Sequence, residues 1–191
     1  MNKNKNVYRE KIFTKPKFWG LAFWNYMFMF SKYIEHSKRS SLQHFKTLLF
    51  FVPCKKCRIE FRKKLKINPP PNEKNKLFRW IWKFKNEVNA RQRATLKLDK
   101  KNITLKRALY EQSMLRDSNI ICNFFQKLIR SMPIYNPVVR TKTPYNMKYV
   151  AKKFKMLVED MMDNPYIFDL LTTLRHQSLF FCKTSIALEN N

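Results

Sequence analysis

Glycine is almost absent from this chain: Gly20 is its single glycine in 191 residues. Phosphate-binding loops and the G-x-G-x-x-G dinucleotide fingerprint need several glycines, because a Cβ atom would keep the backbone away from the phosphates. The composition therefore excludes both motifs, and left-handed αL turns, which favour residues without a Cβ, are not expected either. A nucleotide bound by this chain would have to be held by helix surfaces and side chains.

Acidic residues are also scarce, with 13 Asp and Glu against 40 Lys and Arg and a formal net charge of +27. Such a charge attracts polyanions: nucleic acid, an anionic membrane surface or an acidic protein partner. The basic residues recur from Lys3 to Lys183 between apolar ones rather than collecting in one tail. A polyanion-binding surface and the ordinary solvated faces of a basic protein therefore both remain open.

No hydrophobic run is long enough to span a membrane. The longest, residues 18–30, has thirteen residues and ends before Ser31 and Lys32, whereas a spanning helix needs about 20. No small-residue cleavage site follows it before Lys32, which argues against a signal peptide. Since 45% of the residues are hydrophobic, the chain has ample material for a core, and we interpret this run as a buried helix.

The spacing of the apolar residues and the positions of the prolines indicate an all-α protein. A basic segment at residues 1–15 precedes a helical domain at residues 16–117, and residues 118–191 form a helical C-terminal extension of unknown role. In the domain we expect five helices, at about residues 17–34, 41–52, 54–66, 75–96 and 104–117, with a proline loop at 68–72. In the extension we expect helices at 120–129, 146–162 and 165–181 and a linker at 132–144.

Cysteine is limited to four residues: the C-x-x-C pair Cys54 and Cys57, and the single Cys122 and Cys182. A structural zinc site needs four ligands, and no second pair is present to complete one. The three histidines occur singly, at His36, His44 and His176. Zinc binding and two buried thiols without a task are therefore possible but weakly supported interpretations of the pair.

Redox chemistry is the interpretation that the neighbouring residues favour. Pro53 places the pair at a helix N-terminus, where the positive end of the helix dipole stabilises a thiolate. Lys55, Lys56 and Arg58 add positive charge beside the cysteines. A C-x-x-C ring closes easily and can cycle between dithiol and disulfide. Thioredoxin folds need a βαβ context for this motif, so the sequence suggests a helical redox protein instead.

Four short motifs occur in a fixed order along residues 16–117. Residues 19–24 contain W-G-x-x-x-W, residues 53–58 contain P-C-x-x-C-R, and Trp80 precedes K-N-E-V-N at residues 85–89. Residues 110–113, Y-E-Q-S, close the series. Together these motifs resemble those of the Erv/Alr family of FAD-linked sulfhydryl oxidases, particularly its viral members, in which the third motif is W-x-x-x-x-H-N-x-V-N. Each motif is weak alone, and their order and separation make the resemblance specific.

The resemblance implies a four-helix bundle with a short fifth helix, FAD at the mouth of the bundle, and a homodimer formed through the first two helices. It implies an enzyme that forms disulfides in thiol-containing protein substrates and passes the electrons to dioxygen, yielding hydrogen peroxide. For a viral member the expected task is virion protein maturation, in the host cell cytoplasm or nucleus and in the virion. The mitochondrial intermembrane space is the alternative location.

By the same resemblance Cys54 exchanges with the substrate and Cys57 lies beside the flavin. The residues expected to bind FAD are Gly20, Trp24, Phe28, Lys85, Asn86, Asn89, Arg91 and Arg93; no metal is expected. Three positions depart from the family pattern: Leu21 replaces an arginine, and Phe28 and Lys85 each replace a histidine. Each lost contact is worth about 1 kcal/mol, so weaker flavin binding is expected.

A function of another class remains open. A basic nucleic-acid-binding or structural viral protein could keep the oxidase fold with weak or lost flavin activity, using its interleaved basic and aromatic residues. This interpretation leaves the spacing of the cysteine pair unexplained. Cys122 and Cys182 could shuttle electrons if the fold brought them together, although buried, unreactive thiols are the interpretation that their sequence context favours.

Overall fold

The computed structural model describes residues 16–97 and 99–114, together with residues 120, 123, 124, 127, 156 and 157 of the extension. This part of the chain contains no strand and five α-helices: α1 (Pro16–Tyr33), α2 (Ser41–Phe50), α3 (Lys55–Ile67), α4 (Lys74–Leu96) and α5 (Leu105–Ser113). A 3₁₀ turn, Ile34–His36, follows α1. The prediction of an all-α fold is confirmed. None of the helices described is both long enough and apolar enough to cross a membrane.

The helices and the linker predicted at residues 120–181 lie outside the described residues apart from the six positions named above, and so do Cys122 and Cys182. The predicted division at residue 117 stays a prediction.

Side-chain caps begin three of the helices. The Ser40 hydroxyl accepts a hydrogen bond from the Gln43 N–H, and the Gln43 side chain accepts one from the Ser40 N–H, which forms a capping box at α2. The sulfur of Cys54 caps α3 and the hydroxyl of Thr104 caps α5. Each cap satisfies an N–H group that the first turn of a helix leaves without an intrahelical partner.

Two helix ends differ from the sequence predictions. Lys97 follows α4 in the left-handed region, at φ 49° and ψ 31°, and its N–H donates to the Arg93 carbonyl at 3.1 Å. The expectation that the lack of glycine excludes αL turns is therefore wrong: a lysine forms the αL cap, at a conformational cost of about 1 kcal/mol. Helix α5 ends at Ser113 rather than near residue 117, because Met114 already forms a turn there.

Charge pairs and ring contacts fix the directions in which neighbouring helices run. Glu60 of α3 pairs with Arg91 of α4, and Lys64 of α3 pairs with Glu87 of α4. Residue numbers therefore rise along α3 as they fall along α4. On α1, Trp24 contacts Phe84 at a centroid distance of 5.3 Å and Phe28 contacts Phe78 at 4.8 Å. Helix α4 is therefore antiparallel to both α1 and α3. The N-terminal ends of α1 and α3 consequently lie at the same end of the bundle as the C-terminal half of α4.

Aromatic side chains fill the core between the first four helices. Phe61 of α3 is central, with ring centroids 5.9 Å from Phe23 of α1, 6.1 Å from Phe45 of α2 and 5.3 Å from Phe84 of α4. All four rings are buried. Edge-to-face and offset contacts of this kind add to the free energy gained by removing the rings from water. This cluster holds in register the helices that carry the candidate site.

Described residues of the extension contact the helical domain. Phe124 stacks on Tyr26 of α1 at a centroid distance of 4.1 Å, and both side chains are buried. The Arg39 guanidinium, between α1 and α2, donates to the Met156 carbonyl at 3.1 Å. Phe124, with Ile120 and Leu157, belongs to the same hydrophobic core as α1 and α2, whereas Met156 contacts the domain through its backbone carbonyl.

Candidate redox site

Cys54 and Cys57 form a disulfide at the N-terminus of α3, with their Cα atoms 5.2 Å apart. The Cys57 N–H donates to the Cys54 sulfur at 3.2 Å. Both cysteines are half-buried against the core, whereas Lys55 and Lys56 between them are exposed. The positive end of the helix and the two lysines stabilise negative charge on sulfur, which favours the thiolates formed when the bond is reduced.

Arg58 holds the turn that presents the disulfide. Its guanidinium donates to the carbonyl of Val52 at 2.6 Å and to that of Pro53 at 3.2 Å. These two carbonyls precede Cys54, so the side chain closes the chain back on the first turn of α3. The arginine of the P-C-x-x-C-R motif thus positions the cysteines through the backbone, a role that the sequence motif does not reveal.

One face of α1 runs from the disulfide end of the bundle, where α1 begins, towards the opposite end. Gly20, Trp24 and Phe28 follow each other at four-residue intervals and so share this face. Apart from its chain neighbours and the adjacent backbone of α1, no described residue has an atom within 4 Å of the position that a Cβ on Gly20 would occupy. A glycine inside a helix costs about 1 kcal/mol relative to alanine, and nothing in the described part of the chain requires it here. Among the described residues, the space beside Gly20 is therefore open.

Lys85 lies over the ring of Phe28, with its ammonium nitrogen 5.5 Å from the ring centroid. Burial lowers the pKa of Lys85; Glu111 opposes this effect and Lys100 adds to it. No carboxylate pairs with Lys85 among the described residues, because Glu111 is engaged by Arg107. A half-buried cation without an ion-pair partner is costly and is typical of functional sites.

The polar residues predicted further along α4 hold the segment that precedes α5. The Asn86 amide donates to the Ile103 carbonyl and accepts from the Ile103 N–H, both at 2.9 Å. Asn89 donates to the Lys101 carbonyl at 3.2 Å, and Arg93 donates to the carbonyl of Lys100. Asn86 and Asn89, three residues apart on one helix face, are the signal in the sequence that could have indicated this role.

Comparison with protein families gives one match. The model of the Erv1 / Alr family matches residues 19–108. Residues 19–108 belong to the Erv1/Alr family. Comparisons with curated proteins and with solved structures gave no match. Members of the family are typically flavin-linked, and membership implies sulfhydryl oxidase activity in general terms.

The Erv1/Alr domain contains every residue that the sequence predicted for the site. Cys54 and Cys57 are joined directly, Trp24 and Phe28 lie on the α1 face, and Lys85 contacts Phe28. Arg91 pairs with Glu60 of α3. The predicted residues therefore fall into three sets: the disulfide, the α1 face with Lys85, and the α4 residues that contact neighbouring backbone or side chains, which are Asn86, Asn89, Arg91 and Arg93.

Two buried polar atoms beside these elements lack a hydrogen-bond partner in the described structure: Gln92 Oε1 on α4 and Gln112 Nε2 on α5. The Gln112 side chain on α5 is only 5% exposed, and its amide nitrogen has no hydrogen-bond partner in the described structure. Buried amide donors are normally satisfied. Within the same residues no three His, Cys, Asp or Glu side chains are grouped as metal ligands would be, and the disulfide occupies the two thiols that a zinc site would need.

Proposed function

We propose that this chain is an FAD-dependent thiol oxidase that forms disulfides in protein substrates and uses dioxygen as the final acceptor. The observation that carries the proposal is the Cys54–Cys57 disulfide at the start of α3, inside an Erv1/Alr domain. The room beside Gly20 and the unpaired charge of Lys85 support a bound cofactor that is flat in one part and anionic in another. FAD has both properties.

In the first half-reaction the substrate passes two electrons to the cysteine pair. A substrate thiolate attacks the Cys54 sulfur, the Cys54–Cys57 bond breaks, and Cys57 leaves as a thiolate. A second substrate thiolate attacks the substrate sulfur of the mixed disulfide and releases Cys54. The substrate gains a disulfide, the pair is reduced, and two protons pass to solvent. The Cys57 N–H, 3.2 Å from the Cys54 sulfur, becomes a charge-assisted donor to the released thiolate.

The chemistry that FAD supplies when bound is two-electron transfer from the reduced pair to dioxygen, with hydrogen peroxide as product. We propose that Gly20, Trp24 and Phe28 line its aromatic part and that Lys85 faces an anionic part. We also propose Asn86, Asn89 and Arg93 as cofactor contacts, because they lie on α4 beside the segment that leads to α5. We add Arg91 of the same helix, which pairs with Glu60 of α3. Trp24 packs edge-on against Phe84, which fixes its ring for stacking.

The test uses the purified full chain incubated with FAD. We expect a visible flavin absorption band that bleaches when dithiothreitol is added without oxygen, and oxygen consumption when air is admitted. Cys54→Ser and Cys57→Ser should each abolish the bleaching, whereas the matched double variant Cys122→Ser/Cys182→Ser should retain it. Bleaching of the Cys57→Ser variant at the wild-type rate would show that the pair does not carry the electrons.

A second candidate function rests on the net charge of +27. In this second function the chain is a nucleic-acid-binding or structural protein that keeps the Erv1/Alr fold with weak or lost flavin activity. A protein that stays colourless with FAD, and that binds duplex DNA with an affinity that falls steeply with salt, would favour it. The resemblance to viral members supports a task in virion protein maturation, in the host cytoplasm or nucleus; the homodimer also remains a proposal.

A further inference from the structure

The solvent-facing side of α3 carries a continuous row of positive charge. Positions 55, 59, 62 and 66 recur at intervals of four, three and four residues, so they lie in one line along the helix, with positions 56 and 63 beside it. All six side chains are exposed. Five are basic, and we name them the α3 basic stripe: Lys55, Lys56, Arg62, Lys63 and Lys66. At 1.5 Å per residue the stripe is about 16 Å long.

The positive charge of this stripe is not balanced by neighbouring carboxylates. Seven of the 13 residues of α3 are Lys or Arg, against seven of 23 in α4. The single acidic residue of α3, Glu60, pairs with Arg91 and lies 3.6 Å from Lys63. Lys64 faces α4, where Glu87 pairs with it at 2.6 Å. The four remaining members of the stripe, Lys55, Lys56, Arg62 and Lys66, have no ion-pair partner among the described residues. The positive charges of α3 are therefore paired with carboxylates on the side that faces the protein and unpaired on the side that faces solvent.

The stripe begins at the disulfide. Lys55 and Lys56 stand between the two cysteines, and Cys54 caps the helix along which the remaining charges follow. Lys55 and Lys56 form one group of charges and Arg62, Lys63 and Lys66 another. The two groups are about 9 Å apart along the helix axis, close to the Debye length of about 8 Å at physiological salt, so their potentials overlap in part. Exposed Ile59, in the middle of the row, offers an apolar contact to the same ligand. A polypeptide whose thiol reaches Cys54 would therefore lie with its neighbouring residues over this surface.

We propose that the α3 basic stripe is the docking surface for the protein substrate, and that the substrate thiols lie in an acidic segment. At about 3.3 Å per residue, an extended segment of about five residues with several Asp or Glu matches the length of the stripe. This inference rests on the proposed function, since it names the substrate class of that site. Charge complementarity of this kind raises the association rate and excludes basic competitors.

The test compares two synthetic dithiol peptides with identical cysteine spacing, one flanked by glutamates and the other by lysines. The flavin-loaded full chain oxidises each peptide at low and at high salt, and dithiothreitol serves as the uncharged reference. We expect kcat/KM for the acidic peptide to exceed that for the basic one by about tenfold or more at low salt. The preference should shrink at high salt, while the rate with dithiothreitol should not change. Equal kcat/KM for both peptides at low salt would overturn the proposal.

A double charge-reversal variant tests whether the preference for the acidic peptide depends on the stripe. In Arg62→Glu/Lys66→Glu, the ratio of kcat/KM for the acidic peptide to that for dithiothreitol should fall by about tenfold. The matched control is Arg79→Glu/Lys83→Glu, which makes the same charge change at the same four-residue spacing on the exposed face of α4. If both variants lose the preference equally, the net charge of the protein and not the stripe is responsible, and the proposal is wrong.

A binding measurement keeps this test separate from the flavin chemistry. The full chain is titrated against the fluorescently labelled acidic peptide with serines in place of its cysteines, and duplex DNA is added as a competitor. Binding that Arg62→Glu/Lys66→Glu weakens supports the stripe even if the protein oxidises no dithiol, in which case only the proposed function fails. If the peptide does not bind, the proposal is overturned. If the stripe variant loses DNA binding and not peptide binding, the stripe serves nucleic acid, and the proposal is overturned as well.

Discussion

The Asn86 side chain offers the sharpest test of how the candidate site is built. Its amide makes two hydrogen bonds to the backbone of Ile103, both at 2.9 Å. Replacement by alanine removes both and leaves the half-buried Ile103 N–H without its partner, whereas the Ile103 carbonyl keeps a bond from Trp82 at 2.7 Å. At about 0.5–1.5 kcal/mol for each bond, the loss is about 1–3 kcal/mol. Alanine returns about 0.5 kcal/mol of helix propensity, so we expect a net loss of about 0.5–2.5 kcal/mol.

Asn89→Ala is the matched control, because it changes the same residue type one turn away on α4. Asn89 makes a single, exposed hydrogen bond to Lys101 at 3.2 Å, and its loss is offset by the same gain in helix propensity, so the change should stay within about 0.5 kcal/mol. The assay is urea unfolding of both variants in the absence of FAD. If Asn86→Ala unfolds with the same free energy as Asn89→Ala, Asn86 does not hold the segment before α5 and the reasoning fails.

Three further predictions concern single side chains. Lys97→Gly should raise the free energy of unfolding by about 0.5–1 kcal/mol, because glycine adopts φ 49° without strain. Lys97→Ala should not raise it. Equal free energies of unfolding for the two variants would contradict the assigned αL cap. Because the folded state lowers the pKa of Lys85, its contribution to stability should rise as pH increases towards 10.5. Urea unfolding of wild type and Lys85→Met should therefore show that the free energy of unfolding of wild type, relative to the variant, is larger at about pH 10 than at about pH 8. The same change with pH in both proteins would count against a buried charge at Lys85. Phe124→Ala should cost about 3 kcal/mol, because the ring is buried against Tyr26; a loss below about 1 kcal/mol would place Phe124 outside the core.

The helices and the core were predictable from the sequence because both depend on local periodicity. Leu77, Trp80, Ile81 and Phe84 recur at three- and four-residue intervals, and all four are buried in the structure. Ser40 lies directly before an amphipathic stretch, with Gln43 three residues later, and the capping box forms there. The disulfide was also predictable from local sequence. A C-x-x-C pair at a helix start brings the two sulfurs together without help from the rest of the fold.

The contacts that position the site were not predictable, since each joins residues that are distant in sequence or depends on backbone groups. Arg58 donates to two carbonyls that any residues at positions 52 and 53 would offer, so no sequence pattern marks it. The hydrogen bonds of Asn86 reach across 17 positions to Ile103. The contact between Phe28 and Lys85 depends on the register between α1 and α4, which ring packing sets and which no single helix encodes.

The register between α1 and α4 also shows that two of the three residues that differ from the family pattern do not act independently of one another. Leu21 is 64% exposed and lies seven residues, about 10 Å along the helix axis, before Phe28 on the same side of α1. Phe28 and Lys85, in contrast, touch each other. A change at one of these two positions alters the surroundings of the other, and the effects of residues in contact do not add. The expected losses of about 1 kcal/mol at each position therefore cannot be summed. The Phe28–Lys85 pair is better treated as one local substitution, in which a ring and a cation together replace two imidazoles.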